Sequence, residues 1–406
     1  MELYYKFLEL LKNSLHGNES EPLSFSFDEY KKLYDISMQQ QVLPMIYEQI
    51  HRFESFLSTS DQFQKLWRMK AFSIMGNQAA TTSVFLDLYR KMNTLGLHPI
   101  IVKGIICRNT YPKPDLRVSS DEDLYIARED FEAYDTFLKS EGFYDTLTTE
   151  TESIYDVGYY HPQHSLHIEI HMDLFPRNVS AYDYYNDLFQ SDFQTVYTVS
   201  IEKTDIRTLT PDQHLIYLLC HMIKHFLHSG FGIRQVCDLL MMIQAYSTEL
   251  DWDYIFNVLK DYHLYDFFYN LVDIGTQYLG FHWEDLSLSK PTDVILDSSD
   301  LLQDIMIGGI FGQEDIDRVH SSNITLDAAA NKSSNTTSGI LSALFPPKDY
   351  MYRNYPYADR HHTLLLFAYT QRIYTYFRKK DSKSIESVQI GKKRVNLLKK
   401  YRIIKK

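Results

Sequence analysis

Cysteines are few in this sequence, and their positions fit neither a disulfide framework nor a metal-binding motif. Cys107, Cys220 and Cys237 are odd in number and widely spaced. Apolar runs long enough to cross a bilayer are also missing, and the first residues lack the basic and apolar regions of a secretory signal. These absences argue against a disulfide-stabilised secreted domain or a transmembrane protein, and we expect a cytoplasmic location with core thiols.

Basic residues are outnumbered, but they are concentrated late in the chain. The chain has 41 Lys and Arg against 53 Asp and Glu, a net charge of −12. From Arg378 onward, twelve Lys and Arg face only Asp381 and Glu386, so this tail carries +10 and the remainder −22. An acidic body disfavours nucleic acid as a partner. We interpret the tail as a solvated, frayed end, with surface membrane contact by Val395 to Ile404 as a weak alternative.

Apolar spacing predicts helices on both sides of a region with strand patterns. Helical periodicity ends before Gly17, restarts after Ser26 and is longest from about Asp61 to Asn93. The composition of Ser321 to Gly339 predicts a loop or mobile insertion. The expected regions are an N-terminal helical region (1–96), an α/β core (97–202), a helical region (203–286), an irregular segment (287–344) and a C-terminal helical segment with the basic tail (345–406).

Two aspartates in the α/β region form the chemical centre of the sequence. An apolar run at residues 100–102 ends in Lys103-Gly104, and Asp121 and Asp123 open a second apolar stretch that ends at Ile126. In an extended strand these two carboxylates point to one face, about 7 Å apart. They repel each other unless a cation lies between them, and Mg²⁺, held by carboxylates and phosphate oxygens, fits that position.

A later segment supplies further acidic and imidazole side chains. Polar and apolar residues alternate strictly in it, which places His167, Glu169, His171 and Asp173 on one strand face. An antiparallel strand with one solvated face gives the same pattern, so the alternation alone leaves both interpretations open. The functional interpretation is that this face brings a third carboxylate to the aspartate pair.

Four histidines share one stripe of the helix that a capping box starts at Thr210. They are His214, His221, His225 and His228. Because no intervening Glu completes a metalloprotease motif, we favour a polar helix face along a cleft or in solvent. A metal phosphohydrolase is the weaker alternative and requires Asp238 to approach the stripe. Arg234 and Asp238, four residues apart, are predicted to form an ion pair.

In their order, these motifs resemble the DNA polymerase beta superfamily of nucleotidyltransferases, in which a strand ends in Gly, Asp-x-Asp opens a second strand and a later strand carries a carboxylate. More closely, they resemble a little-characterised bacterial nucleotidyltransferase family, over roughly Leu33 to Tyr355. The matching segments are Ile101-Val-Lys-Gly104, Tyr111-Pro112, Arg117 with Asp121-x-Asp123, Glu169-x-His171, the helix from Leu215 to His225, Asp238-Leu239 and Phe345-Pro346.

The resemblance implies an α+β fold, with a nucleotidyltransferase-like mixed β-sheet core flanked by N-terminal and C-terminal helical regions. It implies Mg²⁺, or Mn²⁺, bound by the catalytic residues Asp121, Asp123 and Glu169. The reaction would move a nucleoside monophosphate from an NTP to a hydroxyl on a small molecule, a sugar derivative or a protein, with release of pyrophosphate. Glu169 is the candidate general base, with Asp173 in reserve.

The same resemblance implies a set of substrate-binding residues. They are Lys103, Gly104, Arg117 and His171. Gly104 would let the backbone approach the phosphates, and Lys103 and Arg117 would offset the phosphate charge. A simpler role for Arg117, as the partner of Asp115 or Glu122, stays open.

Two positions differ from the usual superfamily pattern and leave an alternative function open. Ile105 stands where a second small residue is usual, and Glu122 stands between the aspartates, where an apolar residue is usual. The alternative is a catalytically inactive nucleotide- or partner-binding module with the same fold. Because Glu122 is expected on the opposite strand face from Asp123, we prefer the transferase.

Overall fold

A mixed β-sheet with helices packed around it forms the fold, which confirms the predicted α+β class. The computed structural model describes residues 2–146, 155–190, 193, 195–309, 316–330, 351, 355, 357, 364–378 and 383–404. The strands are β1 (Ile100–Val102), β2 (Glu122–Tyr125), β3 (Tyr144–Asp145), β4 (Asp156–His161), β5 (His164–His171), β6 (Tyr197–Ile201) and β7 (Thr204–Thr208).

Helices precede and follow the sheet, as the apolar spacing predicted. They are α1 (Glu2–Leu15), α2 (Phe27–Gln39), α3 (Leu43–Ile50), α4 (Glu54–Leu57), α5 (Asp61–Thr94), α6 (Gly104–Asn109), α7 (Phe131–Ser140), α8 (Pro211–His228), α9 (Ile233–Ala245), α10 (Trp252–Asp261), α11 (Tyr265–Tyr278), α12 (Ser299–Gly308), α13 (Ile316–Ala330), α14 (Leu365–Arg378) and α15 (Lys383–Lys400). The long helix α5 leads the chain to β1, at the centre of the fold.

Local sequence signals set several helix ends. The Ser26 hydroxyl accepts a hydrogen bond from the Glu29 N–H, and the Glu29 carboxylate accepts one from the Ser26 N–H, so a capping box starts α2. The Thr210 hydroxyl caps α8 by accepting a hydrogen bond from the Gln213 N–H, and Pro211 stands at the first helical position. The N-cap predicted at Thr210 is therefore confirmed.

The order of the strands determines which side chains meet. In the described part of the chain the sheet order is β3-β4-β5-β2-β1-β7-β6. β2 runs antiparallel to β1 and parallel to β5. In this register Asp123 lies beside Val102 on one side and beside Glu169 on the other. The two predicted carboxylates are thus direct neighbours across a strand pair, although 46 residues separate them in sequence.

The predicted loop after Ser321 is wrong as far as the structure describes it. Residues 321–330 belong to α13, in which Ser321 and Thr325 are buried. The Thr325 hydroxyl donates to the carbonyl oxygens of Leu227 and Ser322. Polar side chains here are buried because backbone carbonyls accept their hydrogen bonds, which composition does not reveal. Residues 331–339 and the Phe345-Pro346 motif lie outside the described residues.

Over residues 389–404, where the structure describes its side chains, the basic tail is not a solvated end, which corrects a second prediction. Helix α15 packs against α13, with Val395, Leu398 and Tyr401 buried. The Arg394 side chain is fully buried, donates to the carbonyl oxygen of His228 at 3.0 Å and lies 5.0 Å from the centre of the Phe226 ring. Because the apolar face of α15 packs within the chain, the predicted membrane contact by this face is also wrong.

One continuous cluster of buried apolar side chains joins the sheet to most of the described helices. Cys220 and Cys237 are buried in it, as predicted. None of the helices in the described ranges has both the length and the apolar composition needed to span a membrane. The division into five regions stays a prediction.

Candidate metal and substrate site

A cavity of about 990 Å³ lies where the sheet meets α8 and α9. Asp121, Asp123, Glu169 and His171 line it from the sheet and the segment leading into β2. Other lining residues come from the helices, among them Tyr217, His221, Lys224, His225, His228 and Arg234. Lys103, Gly104 and Arg117 also border it, so every site residue predicted from the sequence lines one cavity.

Asp123, Glu169 and His171 come together on the sheet side of this cavity. The His171 Nε2 lies 2.8 Å from Oδ1 of Asp123 and 3.4 Å from Oε2 of Glu169. One ligand atom from each of the three residues lies within 4.8 Å of the other two. The strand alternation that grouped Glu169 with His171 is therefore confirmed, and the three atoms are close enough to share one cation.

Burial and ion pairing determine the charges in this cluster. Asp123 is 1% exposed, and its Oδ1 also lies 3.1 Å from Nζ of Lys103. Burial alone would lower the pKa of His171, but its hydrogen bonds to Asp123 and Glu169 raise that pKa to about 9. Hydrogen bonding with His171 holds the pKa of Glu169 below its usual range, against the effect of burial. Two carboxylates thus face an imidazolium and an ammonium, and coordination by His171 would require loss of its proton.

The cluster contains buried polar atoms without partners. Among the described residues, Oδ2 of Asp123 and Nδ1 of His171 have no hydrogen-bond partner. An unpaired buried carboxylate oxygen is costly unless another group, such as a cation, compensates it. Carboxylates and imidazole are common ligands of divalent cations. The residues present therefore fit a metal ion at Asp123 and Glu169.

Asp121 lines the cavity but is not part of this three-residue cluster. It precedes the first residue of β2, is half-buried, and its Oδ1 accepts a hydrogen bond from the Ser120 hydroxyl at 3.0 Å. Asp173, the reserve carboxylate, is bound instead by Arg128 at 2.7 Å and by Arg177. A metal-binding role for Asp121 stays a prediction.

The Lys103-Gly104 turn is supported by Glu122. Lys103 and Gly104 have φ angles of 53° and 33°, and a Cβ at Gly104 would lie 2.0 Å from Oε2 of Glu122. That oxygen accepts a hydrogen bond from the Ile105 N–H at 2.7 Å, and Oε1 forms an ion pair with Arg108 at 2.8 Å. Glu122 thus faces away from Asp123, as expected. The group that closely approaches Gly104 here is a carboxylate of the chain itself.

Arg117 is bound by a carboxylate that sequence reasoning did not pair with it. Its Nε and Nη2 donate to Oδ1 and Oδ2 of Asp238 at 3.0 and 2.6 Å. The Tyr111 hydroxyl donates to the same Oδ1 at 2.7 Å. Asp115 and Glu122, the two partners considered for Arg117, are therefore both wrong. A carboxylate 121 positions away cannot be identified from local spacing.

Arg234 does not form the predicted ion pair with Asp238, because that carboxylate is bound by Arg117. The Nη1 of Arg234 donates to the carbonyl oxygen of Val118, and its Nε has no hydrogen-bond partner in the described part of the chain. The side chain is 8% exposed. Burial, together with repulsion from Arg117, lowers the pKa of Arg234 to about 10. Arg234 is therefore a buried cation that the chain compensates poorly.

His214, which does not line the cavity, supports the Lys103-Gly104 turn. Its Nε2 accepts a hydrogen bond from the Lys103 N–H at 3.1 Å, and its Nδ1 lies 3.3 Å from the Thr208 hydroxyl. Burial lowers the pKa of His214 to about 3, so the ring is neutral. A neutral ring is required, because a protonated Nε2 could not accept from Lys103.

The other three histidines line the cavity, which confirms the predicted polar helix face along a cleft. The His221 Nε2 lies 3.2 Å from Nζ of Lys103 and 3.2 Å from Nε2 of His225, and His228 pairs with the Tyr182 hydroxyl at 2.7 Å. Burial lowers the pKa of His225 to about 3. Among the described residues this stripe forms no three-residue metal-binding group with Asp238. The structure therefore does not favour the phosphohydrolase.

Sequence reasoning did not assign Tyr217, Lys224 or Arg234 to the helical wall of the cavity. For two of them a signal was present. Tyr217, His221, Lys224 and His228 recur at intervals of four, three and four, which places them on one helix face. Arg234 was noticed, but it was assigned to the wrong partner.

Comparisons with known proteins identify the family. The family described as uncharacterised nucleotidyltransferase matches residues 28–280, which include the whole candidate site on the sheet. No curated protein matches the chain. The crystal structure of an antigenic nucleotidyltransferase-like protein from Paracoccidioides brasiliensis is similar at 15% identity and a TM-score of 0.31, over 53% of this chain and 97% of that chain. A similarity at this level supports no conclusion about the fold or the function of this chain. By the family match, the chain belongs to the uncharacterised nucleotidyltransferases.

Proposed function

We propose that this protein transfers a nucleoside monophosphate from an NTP to a hydroxyl acceptor. The observation that carries the proposal is the convergence of Asp123, Glu169 and His171 at one cavity, in a chain of a nucleotidyltransferase family. The acceptor is a small molecule, a sugar derivative or a protein, because the net charge of −12 disfavours nucleic acid. Membership in the DNA polymerase beta superfamily, a bacterial source and a cytoplasmic location belong to the same proposal.

Asp123 and Glu169 would hold the metal ion, with Asp121 as a further ligand from the same cavity. Bound Mg²⁺ or Mn²⁺ would offset the negative charge on the phosphate oxygens of the NTP. Lys103 supports this arrangement, since its ammonium lies 3.1 Å from Oδ1 of Asp123 and orients that carboxylate. The other oxygen of Asp123 is the unpartnered one, so the chain leaves free the atom that a metal would need.

Glu169 is the proposed general base. In the reaction, the acceptor oxygen forms a bond to the α-phosphorus, the bond from that phosphorus to the bridging oxygen breaks, and pyrophosphate leaves. The proton of the acceptor hydroxyl passes to Glu169. This carboxylate is ionised and accessible, because hydrogen bonding with His171 holds its pKa below its usual range and its side chain is 39% exposed at the cavity. His171 would orient it, at 3.4 Å.

A silent nucleotide- or partner-binding module is the second candidate, and one observation favours it. The groups expected to bind phosphates already have partners within the chain. The Ile105 N–H donates to Glu122, Lys103 pairs with Asp123, and Arg117 pairs with Asp238. A module that binds a nucleotide or a partner without transferring NMP would not need Lys103, Arg117 and the Ile105 N–H to leave these partners.

Calorimetry with ATP, GTP, CTP and UTP, with and without Mg²⁺, tests both candidates. The native chain is compared with Asp123→Asn and with Asp115→Asn, a matched control at an exposed position outside the cavity. The transferase requires metal-dependent binding that Asp123→Asn removes and Asp115→Asn retains, together with pyrophosphate release and added NMP mass on an acceptor or on the chain itself. Metal-dependent binding without turnover across a broad acceptor panel would favour the silent module. Metal-dependent binding that survives in Asp123→Asn would contradict the assigned site.

A further inference from the structure

The cations on the sheet side of the cavity are engaged in ion pairs within the chain. Lys103 pairs with Asp123 at 3.1 Å, and Arg117 pairs with Asp238 through two hydrogen bonds. Neither group is available to an anionic ligand without losing a buried carboxylate partner. Breaking such a pair is strongly unfavourable, because it leaves an uncompensated charge.

The helical side of the cavity has an excess of positive charge. Arg234 lies close to the Arg117–Asp238 ion pair, and all three side chains are more than nine-tenths buried. The charges of Asp238 and, more weakly, Asp121 attract Arg234, but burial and repulsion from Arg117 outweigh them. Asp238 binds Arg117, so Arg234 keeps a positive charge and an Nε without a partner among the described residues. A buried charge that the chain neutralises only in part is costly, and an external anion beside it would lower that cost.

Lys224 adds a second cation to the same wall. Its Nζ lies 5.3 Å from the centre of the Tyr155 ring, and it forms no ion pair with a carboxylate of the described residues. Burial, together with repulsion from Lys103, lowers the pKa of Lys224. The side chain lines the cavity together with Arg234.

The start of α9 reinforces this positive character. Arg234 and Gln235 stand in the first turn of a helix of 13 residues, and both line the cavity. The N-terminus of a helix carries a partial positive charge and favours anions. The unpartnered Nε of Arg234, an independent observation, points to the same kind of ligand.

We propose that Arg234, with Lys224 as a second contact, binds phosphate oxygens of the ligand in this cavity. The inference rests on the proposed function, because it assigns the phosphate groups of a nucleotide or of a phosphorylated acceptor to residues outside the substrate-binding set that the sequence resemblance implies. A guanidinium presents paired N–H donors that match phosphate oxygens, and an ammonium adds a point charge. The phosphates thus contact the helices, while the carboxylates of the sheet stay free for the metal and the proton.

The test is calorimetric binding of inorganic tripolyphosphate in EDTA, so that no metal contributes. We expect Arg234→Gln to weaken binding by about tenfold to a hundredfold, since a charge-assisted hydrogen bond is lost. Arg234→Lys is expected to keep part of the affinity, and Lys224→Gln to lose less than Arg234→Gln. Arg68→Gln, at an exposed position outside the cavity, removes the same charge and is expected to bind like the native chain.

A second arm, ATP with Mg²⁺, distinguishes the two sources of phosphate. A parallel loss of ATP affinity in Arg234→Gln assigns the subsite to the nucleotide. Unchanged ATP affinity with weakened tripolyphosphate binding assigns it to a phosphorylated acceptor. Both results support the subsite. The proposed function has its own readout in this arm, the effect of Asp123→Asn on metal-dependent ATP binding.

The proposal is overturned if Arg234→Gln binds tripolyphosphate as tightly as the native chain, or if Arg68→Gln loses as much affinity. Absence of tripolyphosphate binding by the native chain also overturns it. Circular dichroism establishes that each variant is folded. If Arg234→Gln does not fold, Lys224→Gln tests the subsite in its place. A tripolyphosphate affinity of Lys224→Gln equal to that of Arg68→Gln then counts against the subsite.

Discussion

Glu122 and Asp123 are adjacent on β2, and both are buried carboxylates, but they face different surroundings. On one face, both oxygens of Glu122 have partners within the chain, the Ile105 N–H and the Arg108 guanidinium. On the other face, Asp123 borders the cavity and keeps one oxygen unpartnered. The two carboxylates are alike in burial and differ in whether the chain satisfies both of their oxygens.

The comparison also explains the unusual residue between the aspartates. Glu122 points away from the cavity and is neutralised by Arg108, so it adds no negative charge to the proposed metal site. Its carboxylate instead supports the turn through Ile105, the other position that differs from the superfamily pattern. We interpret Glu122 and Ile105, the two positions that differ from the superfamily pattern, as parts of one local arrangement around Gly104.

The largest expected effect is that of Asp123→Asn on the cavity face. Removing the charge of Asp123 is expected to lower the rate of NMP transfer by about a thousandfold, as losses of preorganised charge in active sites do. The rate is measured by pyrophosphate release, with Asp115→Asn as the control. A variant that keeps the native rate would show that the two faces of β2 do not differ in function.

Glu122→Ala tests the opposite face. We expect unfolding free energy to fall by about 3–5 kcal/mol, because Arg108 is left buried without its carboxylate. Urea unfolding measures this loss, and Glu129→Ala, at an exposed position, is the control. The folded variant is expected to keep the metal affinity of the native chain. A metal affinity that falls with Glu122→Ala would mean that the two faces are coupled.

Gly104→Ala tests the turn between the faces. A side chain at this φ of 33° is strained, and its Cβ would displace the Glu122 carboxylate, so we expect a loss of about 2 kcal/mol in unfolding free energy. In the Glu122→Ala background the same change is expected to cost less, because the displaced group is gone. Additive losses in the double variant would exclude this contact as the reason for the glycine.

The last expected effect, of similar size, concerns His214, which accepts a hydrogen bond from the Lys103 N–H of the same turn. Its pKa is about 3 in the folded chain and about 6.5 when unfolded, so below pH 6.5 the unfolded chain binds a proton that the folded chain does not. Stability therefore falls as the pH falls. Between pH 7 and pH 5 we expect the native chain to lose roughly 2 kcal/mol more than His214→Gln. Urea unfolding at the two pH values measures the difference, and equal losses would contradict it.

His171 titrates in the opposite direction and does not disturb this comparison. Its folded pKa, about 9, lies above the unfolded value, so it stabilises the fold below pH 6.5 and loses that contribution as the pH rises through 9. The native chain and His214→Gln both contain His171, so its contribution to stability cancels when their two losses are subtracted. Lys103 and Asp123, the charged groups that act on His214, are likewise present in both.

The sequence was sufficient where local periodicity determines structure. The limits of α5, the cap at Thr210 and the alternation that exposes Glu169 and His171 on one face all follow from neighbouring residues. The approach of Glu169 to Asp123 was predicted from the functional interpretation of the alternating strand face and from the family resemblance. Strand register then made these two residues direct neighbours.

Contacts between distant segments could not be predicted in the same way. Asp238 is bound by Arg117, 121 positions earlier, rather than by Arg234 on its own helix. Residues 321–330 have the composition of a loop but form a helix, since tertiary packing overrides weak local preference. In both cases the missing information is which distant surface a segment packs against.

The contact between Arg394 and the last turn of α8 has a consequence for how the cavity is completed. Arg394 donates to the carbonyl oxygen of His228, 166 positions earlier in the chain. During synthesis, chains emerge from the N-terminus onward. The helix that carries His221, Lys224 and His228 is therefore made long before the side chain that secures its end. The contact at this end of the cavity wall can form only after residue 394 has left the ribosome.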